Sequence, residues 1–339
     1  ALAAADYKAL RAEQAKRRAS GDAKQLGIGV SVYVEITGGV GNGESAKVEV
    51  LEDGRAVVYT GTSPHGQGHD TAWSMLVQEQ TGIPMDKIEL VWGDTDLVPI
   101  GTGTMGSRSL QQGGNAVFQV AGTLAEKAKS VAARLLEVSE ADVVLDKDRG
   151  AFHVVGTPAV TKTWADLAVA EKGTGGLLHD EVINVAGATF PFGAHIAVVE
   201  VDTETGRVKH LRQVACDDAG KVLNPLLLDG QIHGGIAQGV AQALLEEVLY
   251  DADGNPTTSN LADYGFISAA ELPSVEVIHM ETPTPVNAIG AKGIGESGTI
   301  GSTPAIQSAV VDAVSHLGVK HIEMPCTAER VWRAIQAAQ

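Results

Sequence analysis

One glycine-rich stretch of the sequence contains a single base and a single acid, Lys292 and Glu296. The stretch IGAKGIGESGTIGSTP covers residues 289–304, and five of its residues are glycine. Glycine allows the backbone to approach a ligand closely, because it has no Cβ. A carboxylate in such a largely apolar loop is suited to proton transfer. Glu296 is therefore a candidate general base with Lys292 beside it, and the alternative is a solvated loop with a surface glutamate.

A helix is expected directly after this loop. Thr303 is a good N-cap, Pro304 suits the first helical position, and Gly318 follows the helix as a terminator. The free N–H groups and the dipole of a helix N-terminus favour an anion. Gly293 and Gly295 also fit a G-x-G-x-x-G pattern, but a proline-containing segment precedes them where a dinucleotide fold has a strand. The sequence therefore predicts an anion-binding loop and not a Rossmann fingerprint.

A second loop, SPHGQGHD, offers imidazoles, an amide and open backbone. His65 and His69 are four residues apart, which on a helix would allow a metal pair, but Pro and Gly surround them and no H-E-x-x-H pattern is present. Gln67, flanked by Gly66 and Gly68, is better suited to a polar and uncharged ligand edge. We therefore predict that this loop contacts a ligand and does not bind a metal.

Hydroxyl groups and a guanidinium lie together in the loop TGTMGSRS, before another expected helix. The loop contains Thr104, Ser107, Arg108 and Ser109. Arginine forms bidentate hydrogen bonds with phosphate, and a helix start adds N–H donors. The sequence therefore predicts a phosphate site, and the alternative is a helix cap with an exposed arginine.

Two neighbouring carboxylates, Asp217 and Asp218, lie in the segment DDAGKVLNP. Paired carboxylates could perform general acid–base chemistry. In this glycine-turn context, aspartates are more typical of turn residues or of acceptors for sugar hydroxyls. The sequence alone leaves these alternatives open.

The composition argues against several classes of protein. The 339 residues include 25 basic and 42 acidic side chains, a formal net charge of −17, without a cluster of Lys and Arg. Such a surface argues against nucleic acid or an anionic membrane as the main partner. Cys216 and Cys326 lack zinc or iron–sulfur spacing, which fits a reducing, cytoplasmic environment. No apolar run reaches the roughly 18 residues of a membrane span.

The order of the expected elements predicts an α+β fold in two layers. Twice, a strand hairpin leads into a loop in which Gly and Gln lie near His, and that loop opens a helix. Antiparallel hairpins dominate, which favours α+β layers over a doubly wound parallel sheet. We predict an internal pseudo-repeat of hairpin–loop–helix units, with an N-terminal helix and lead-in over 1–25, a first subdomain over 26–176 and a second over 177–339.

Several strings of the sequence resemble one known family. They are GQGHDT, GTGTMGSRS, VEVDTETGRV, DDAGKVLNPLLLDGQIHGGIAQG and GAKGIGESGTIGSTPAIQSAVVDA. They are similar, in the same order, to the molybdenum-binding subunit of the xanthine oxidase family of molybdenum hydroxylases. The resemblance is closest to its aerobic carbon monoxide dehydrogenase-type large subunit. It runs from about Asp6 to the C-terminus and covers the C-terminal part of such a subunit.

The resemblance implies that both subdomains bind a molybdopterin cofactor, as the cytosine dinucleotide. The molybdenum would be held by the cofactor's dithiolene and by no protein ligand. Glu296, in the G-x-G-E pattern, corresponds to the glutamate beside the molybdenum. The loops around Gln67 and Gln231 correspond to pterin contacts, and the others to the phosphates and the nucleotide end. The implied cofactor contacts are Gly66, Gln67, Gly68, His69, Thr104, Ser107, Arg108, Ser109, Asp217, Asp218, Asn224, Gln231, Lys292, Gly293 and Gly295.

The resemblance also implies an oxidoreductase that works with partner chains. Glu296 would act as general base while water-derived oxygen is transferred to a small substrate such as CO, an aldehyde or an N-heteroaromatic compound. Electrons would pass to [2Fe–2S] clusters and FAD on partner subunits. The N-terminal half of the molybdenum subunit would be a further partner, either a separate chain or removed. Two alternatives stay open: a cofactor-binding half-module that is inactive until paired, and a metal-free nucleotide- or phosphate-binding protein.

Overall fold

A computed structural model describes residues 1–39, 43–185 and 187–338. Within these ranges the helices are α1 (Tyr7–Ser20), α2 (His69–Thr81), α3 (Asn115–Leu136), α4 (Trp164–Glu171), α5 (Pro225–Leu244), α6 (Ser297–Val314) and α7 (Ala328–Ala338). The strands are β1 (Lys24–Val34), β2 (Glu44–Val50), β3 (Ala56–Thr60), β4 (Ile88–Val91), β5 (Val143–Asp146), β6 (Ala151–Val154), β7 (Thr157–Thr163), β8 (Leu177–Ile183), β9 (Phe192–Asp202), β10 (Val208–Asp218) and β11 (Val275–Met280). The mixture of sheets and helices confirms the predicted fold class. None of these helices is both long and apolar enough to cross a membrane.

The described strands form two four-stranded sheets and one small sheet. The first sheet has the order β1–β9–β10–β11, with only β10 and β11 parallel. The second has the order β4–β3–β2–β8, with only β3 and β4 parallel. Strands β5, β6 and β7 form the small antiparallel sheet. Because β1 pairs with β9 and β8 pairs with β2, both large sheets combine strands from the two sides of residue 176. The subdomain boundary and the pseudo-repeat stay predictions.

Helices cover both faces of the first sheet. Helices α5 and α6 bury Ile232 and Ile306 against one face, where Val199 is also fully buried. Helix α1 covers part of the opposite face, around Leu26 and Ile196. Burying such a side chain contributes about 1.5–3 kcal/mol. The second sheet packs against α2, α3 and α4.

Helix α6 lies directly on β1, and this contact positions the loop that precedes the helix. A Cβ on Gly29 would lie 1.9 Å from the Ala305 carbonyl oxygen, so only glycine permits the observed approach. The Ser31 hydroxyl donates a hydrogen bond to the Gly301 carbonyl at 2.6 Å. The N-terminus of α6, with the Lys292–Glu296 loop before it, is therefore fixed to the end of β1.

The predicted start of this helix was wrong. Helix α6 begins at Ser297, so Thr303 and Pro304 lie inside it and are not its N-cap and first residue. The Thr303 hydroxyl instead donates to the Thr299 carbonyl, 3.0 Å away within the helix. The first turn is held by tertiary packing, because Gly298 lies against the backbone of α5 at Gly235. Contacts with a distant helix therefore override the local proline signal.

Candidate functional site

A cavity of about 430 Å³ lies where the glycine loops of both sheets meet. Its walls come from the loop before α2, the loop before α3, the start of α5 and the loop before α6. Most of the residues that the sequence predicted to contact a ligand line this cavity. They are Gln67, His69, Thr104, Ser107, Ser109, Asn224, Gln231, Lys292, Gly293, Gly295 and Glu296. Loops that lie more than 200 residues apart in the sequence therefore meet at this cavity, as expected for a single site.

Glu296 is exposed at the cavity wall and is held there by Ser107. The Ser107 hydroxyl oxygen is 2.7 Å from Glu296 Oε2 and accepts a hydrogen bond from the Glu296 backbone N–H at 3.1 Å. Ser107 has a φ of 53°, a left-handed conformation that is uncommon for a residue other than glycine. Such strain concentrates at functional sites. The two loops thus orient the one carboxylate that faces the cavity in the part of the chain that the structure describes.

A glycine lets these two loops approach each other. A Cβ on Gly293 would lie 2.0 Å from the Ser107 carbonyl oxygen. The backbone therefore fills the space that any other residue would need at this position. Gly295, two residues later, has no such neighbour closer than 3.5 Å. The close approach is specific to Gly293 and fixes Ser107 opposite Glu296.

Lys292 lines the cavity, but its ammonium group forms an ion pair in the protein interior. Its Nζ is 2.9 Å from Asp218 Oδ1 and 4.6 Å from the centre of the Phe192 ring. Burial acts to raise the pKa of Asp218, but hydrogen bonds from Thr282, Lys292 and the Gly220 N–H together outweigh it and lower that pKa. Asp218 is therefore a partner of Lys292 and not a cavity carboxylate.

Asp217 also points away from the cavity. Its carboxylate accepts a hydrogen bond from the Tyr33 hydroxyl at 2.7 Å and lies 3.1 Å from His195 Nε2. Asp217 and His195 are both buried. The structure does not join Asp217 and Asp218 as an acid–base pair, because each carboxylate binds a different internal partner. Their hydrogen bonds hold the end of β10 beside the loop before α6.

Arg108 is the clearest departure from the sequence-based prediction. Its side chain is fully buried and forms an ion pair with Glu44 on β2. It also donates to the Gly103 carbonyl at 2.9 Å. The predicted phosphate contact by its guanidinium, and the alternative of an exposed arginine, both conflict with this burial. Arg108 instead fixes the shape of the loop whose neighbours Ser107 and Ser109 do face the cavity.

Gly66 and Gly68 lie beside the cavity without lining it. Gly68 precedes α2 with a φ of 80°, and a Cβ there would lie 2.6 Å from Leu227. Gly66 has a φ of 105° and open space around it. Their backbone shape presents Gln67 and His69 to the cavity. His69 stacks on Trp73 with ring centres 4.6 Å apart, and burial lowers the pKa of His69, so its ring is neutral near pH 7.

Among the cavity residues that the sequence did not predict, Lys221 and Trp73 carry polar groups. Lys221 is exposed at the cavity and places an ammonium group there. Trp73 is buried, and its indole N–H has no hydrogen-bond acceptor among the described residues. Lys221 lies in the segment DDAGKVLNP, close to Asp217 and Asp218, and this closeness was the one sequence feature that could have indicated it. Trp73 gave no signal, because tryptophan in a helix is usually a core residue.

The composition of the walls indicates what kind of ligand fits. Apolar surface predominates, and amides, hydroxyls and one exposed ammonium interrupt it at Gln67, Asn224, Gln231, Ser109 and Lys221. Cavities of this kind bind ligands with an apolar body and a few polar edges. The described ranges contain no cluster of three or more His, Cys, Asp or Glu side chains that could hold a metal ion.

Comparison with known proteins identifies the family. The molybdopterin cofactor-binding domain matches residues 1–273. The chain is 39% identical to the carbon monoxide dehydrogenase large chain of Hydrogenophaga pseudoflava, over 99% of this chain and 44% of that protein. It is 34% identical to the nicotine 6-hydroxylase large subunit of Paenarthrobacter nicotinovorans, over 97% and 42% respectively.

The fold agrees with this relationship. The structure of a Cu,Mo-CO dehydrogenase matches with a TM-score of 0.91 and 35% identity, over 99% of this chain and 45% of that chain. The chain thus spans less than half the length of these relatives. The predicted resemblance to molybdenum-binding subunits of the xanthine oxidase family is confirmed. The chain belongs to the molybdopterin cofactor-binding domain family.

Proposed function

We propose that this chain is the cofactor-binding part of a molybdenum hydroxylase, with Glu296 as its general base. The observation that carries the proposal is the position of Glu296. Among the described residues it is the carboxylate on the wall of a cavity built from four separate segments, and Ser107 orients it. It also lies at the N-terminus of α6, whose free N–H groups stabilise negative charge.

The walls of the cavity suit molybdopterin cytosine dinucleotide. The amides of Gln67 and Gln231 can pair with the hydrogen-bonding edges of a pterin ring. The hydroxyls of Thr104 and Ser109 and the ammonium of Lys221 can pair with phosphates. When bound, the cofactor supplies the molybdenum, which makes oxygen transfer and two-electron oxidation possible. Asn224 caps α5 by accepting from the Leu227 N–H, so it positions the α5 end of the wall.

In this proposal the chain contributes proton handling and orientation. Glu296 takes up the proton released as water-derived oxygen is transferred to the substrate carbon. The substrate is a small molecule with an electrophilic carbon, such as CO, an aldehyde or an N-heteroaromatic compound. The names of the relatives, a carbon monoxide dehydrogenase and a nicotine hydroxylase, support this range. The electrons then pass to [2Fe–2S] clusters and FAD on partner subunits in the cytoplasm.

The relatives are longer than this chain, which bears on whether the chain needs a partner for turnover. The chain corresponds to 44% of the carbon monoxide dehydrogenase large chain that it matches. We therefore propose that turnover requires the other half of a molybdenum subunit as a partner. Assays should use the protein assembled with its native partners. Turnover by the isolated chain would contradict the requirement for a partner.

The test of the base is Glu296→Gln in the assembled protein. Removing a general base costs about 10²–10⁴-fold in rate. We expect turnover to fall by that factor, while molybdenum and the CMP released by acid stay at the level of the parent. Glu204→Gln, in the exposed turn between β9 and β10, is the matched control and should change neither. Substantial turnover in Glu296→Gln would refute the assignment of the base.

The same measurement tests the cofactor. Molybdenum and CMP in amounts close to one per chain support a molybdenum hydroxylase. An intact assembly without molybdenum or cytidine nucleotide would favour the metal-free nucleotide- or phosphate-binding protein. A loaded assembly without turnover on any substrate class would favour the inactive half-module.

A further inference from the structure

A second carboxyl group lies behind the candidate base, outside the cavity. Glu35 follows β1 and is only 7% exposed. Its Oε2 accepts a hydrogen bond from the Ser297 hydroxyl at 2.8 Å. Its Oε1 lies 3.1 Å from the Ser107 hydroxyl oxygen. Ser107 is the same residue that contacts Glu296, so one hydroxyl bridges the two carboxyl groups.

The bridge between Glu35 and Glu296 lacks one proton when both carboxyl groups are ionised. The Ser107 hydroxyl has one proton and can donate to one carboxylate only. It already accepts a hydrogen bond from the Glu296 N–H. With two ionised carboxylates, either the 2.7 Å contact with Glu296 or the 3.1 Å contact with Glu35 is a repulsion between oxygen atoms. One additional proton on a carboxyl removes this conflict.

The surroundings place that proton on Glu35. Glu35 is buried, whereas Glu296 is exposed at the N-terminus of α6. Burial raises the pKa of Glu35, and the neighbouring Glu296 acts in the same direction, against hydrogen bonds from Ser297 and Ser107. The other titratable groups on this side are the Tyr33 phenol and Asp217, which bind each other. None of the ion pairs in the described ranges includes Glu35.

We propose that Glu35 is a positioning residue that holds a proton and acts on Glu296 through Ser107. The protonated Glu35 carboxyl donates to the Ser107 oxygen, and the Ser107 hydroxyl then donates to Glu296. Glu296 is thereby held in one orientation at the cavity wall. Asp217 and His195 form a separate buried pair and have no part in this arrangement. The proposal rests on the proposed function of Glu296.

The arrangement has a defined pH dependence. As the pH rises through the pKa of Glu35, Glu35 loses its proton and the Ser107 hydroxyl must serve two carboxylates. Glu296 then loses its fixed orientation in part of the molecules. Turnover should therefore decline on the alkaline side with an ionisation that belongs to Glu35. Glutamine cannot ionise, but it has an N–H group that can donate to Ser107 and an oxygen that can accept from Ser297.

The experiment compares Glu35→Gln and Glu35→Ala in the assembled protein, with Glu204→Gln as the control. Infrared difference spectra recorded against pH report protonated carboxyl groups without any need for turnover. We expect the parent and the control to show a protonated carboxyl band that persists to higher pH than that of an ordinary glutamic acid, and Glu35→Gln to lack it. The absence of such a band from the parent, or its persistence in Glu35→Gln, would overturn the proposal.

Kinetics provide the second readout. Misplacement of a catalytic group by about 1 Å can cost about 10²-fold. Glu35→Ala should lower kcat by about 10- to 100-fold at an unchanged KM, and Glu35→Gln should recover at least tenfold of this loss and lack the alkaline ionisation. Equal damage in both variants, or an unchanged alkaline limb in Glu35→Gln, would contradict the proposal. If Glu35→Ala does not assemble, Glu35→Gln still decides the question.

The two proposals fail in distinguishable ways. If Glu296→Gln keeps its turnover, Glu296 is not the base, whatever the spectra of Glu35→Gln show. If Glu296→Gln loses turnover while the Glu35 band is missing from the parent, the base assignment survives and the role of Glu35 is refuted.

Discussion

The contact between Gly293 and Ser107 gives the sharpest prediction. A Cβ on Gly293 would lie 2.0 Å from the Ser107 carbonyl oxygen and 2.9 Å from the Ser107 Cβ and carbonyl carbon. Contacts of a Cβ below 3.0 Å are essentially never observed. In Gly293→Ala, the Ser107 peptide must therefore move by about 1 Å, a shift comparable to those that matter for positioning. This atom is backbone, so no side-chain rotation relieves the clash.

The expected cost follows from this displacement. Forcing one extra methyl into a packed site typically costs about 1–3 kcal/mol. The shift also breaks the 2.7 Å contact between Ser107 and Glu296. We expect Gly293→Ala to lower the thermal unfolding midpoint of the assembled protein and to reduce turnover by about 10²-fold. Thermal unfolding and the rate per bound molybdenum measure these two effects separately.

Gly295→Ala is the matched control for stability. It lies in the same loop, and a Cβ there would be 3.5 Å from the Ser107 hydroxyl oxygen and 3.8 Å from Gln231, which are ordinary contacts. Replacing glycine by alanine without a clash stabilises a protein by about 0.4–1 kcal/mol. Gly295→Ala should therefore unfold at the same temperature as the parent or slightly above it. Equal midpoints for the two variants would refute the argument from close approach.

Three further predictions concern charged side chains that are bonded within the protein. Lys292→Met leaves Asp218 without its buried partner and should cost about 3–5 kcal/mol in unfolding free energy near neutral pH. Because the pKa of Asp218 is lowered in the folded protein, its stabilisation is present above the ordinary Asp pKa of about 3.9 and is lost as the pH falls through the lower folded value. The deficit of Lys292→Met in unfolding midpoints should therefore shrink below about pH 4, and a constant deficit would argue against Asp218 as the partner. Asp312→Ala removes the carboxylate that accepts hydrogen bonds from Arg11 at 2.6 Å and from the Ile28 N–H at 2.8 Å. This change should lower the free energy of unfolding by about 1–3 kcal/mol and make proteolysis of α1 faster. An unchanged rate of proteolysis would contradict this role of Asp312.

Residues adjacent in the sequence indicate the hairpin turns and some of the helix ends. The dipeptide Asp–Gly is typical of a hairpin turn, and Asp53–Gly54 lies between β2 and β3; glycine is typical of a helix end, and Gly21 ends α1 in the left-handed conformation. These signals depend on the backbone preferences of a few adjacent residues, so they can be recognised in the sequence. The start of α6 could not be recognised in this way, because Gly298 is held by α5 and not by its neighbours.

For the candidate site too, some features could be predicted from the sequence and others depended on the tertiary structure. The sequence alone predicted which loops meet at the cavity: the glycines, Gln67, Ser107 and Glu296 were identified by their residue types and by their resemblance to a family. Only the tertiary structure decided which side chains face the cavity. Arg108 has the chemistry of a phosphate ligand, yet Glu44, 64 residues away, holds it in the interior.

The physical reason is that residue type determines what a group can bind, whereas the fold determines what it meets. Asp218 meets Lys292, and Asp217 meets Tyr33, because β10 ends between the two. Glu35 gave no signal in the sequence, since a single glutamate after a strand is ordinary. Its importance arises only because the fold brings Ser107 between it and Glu296.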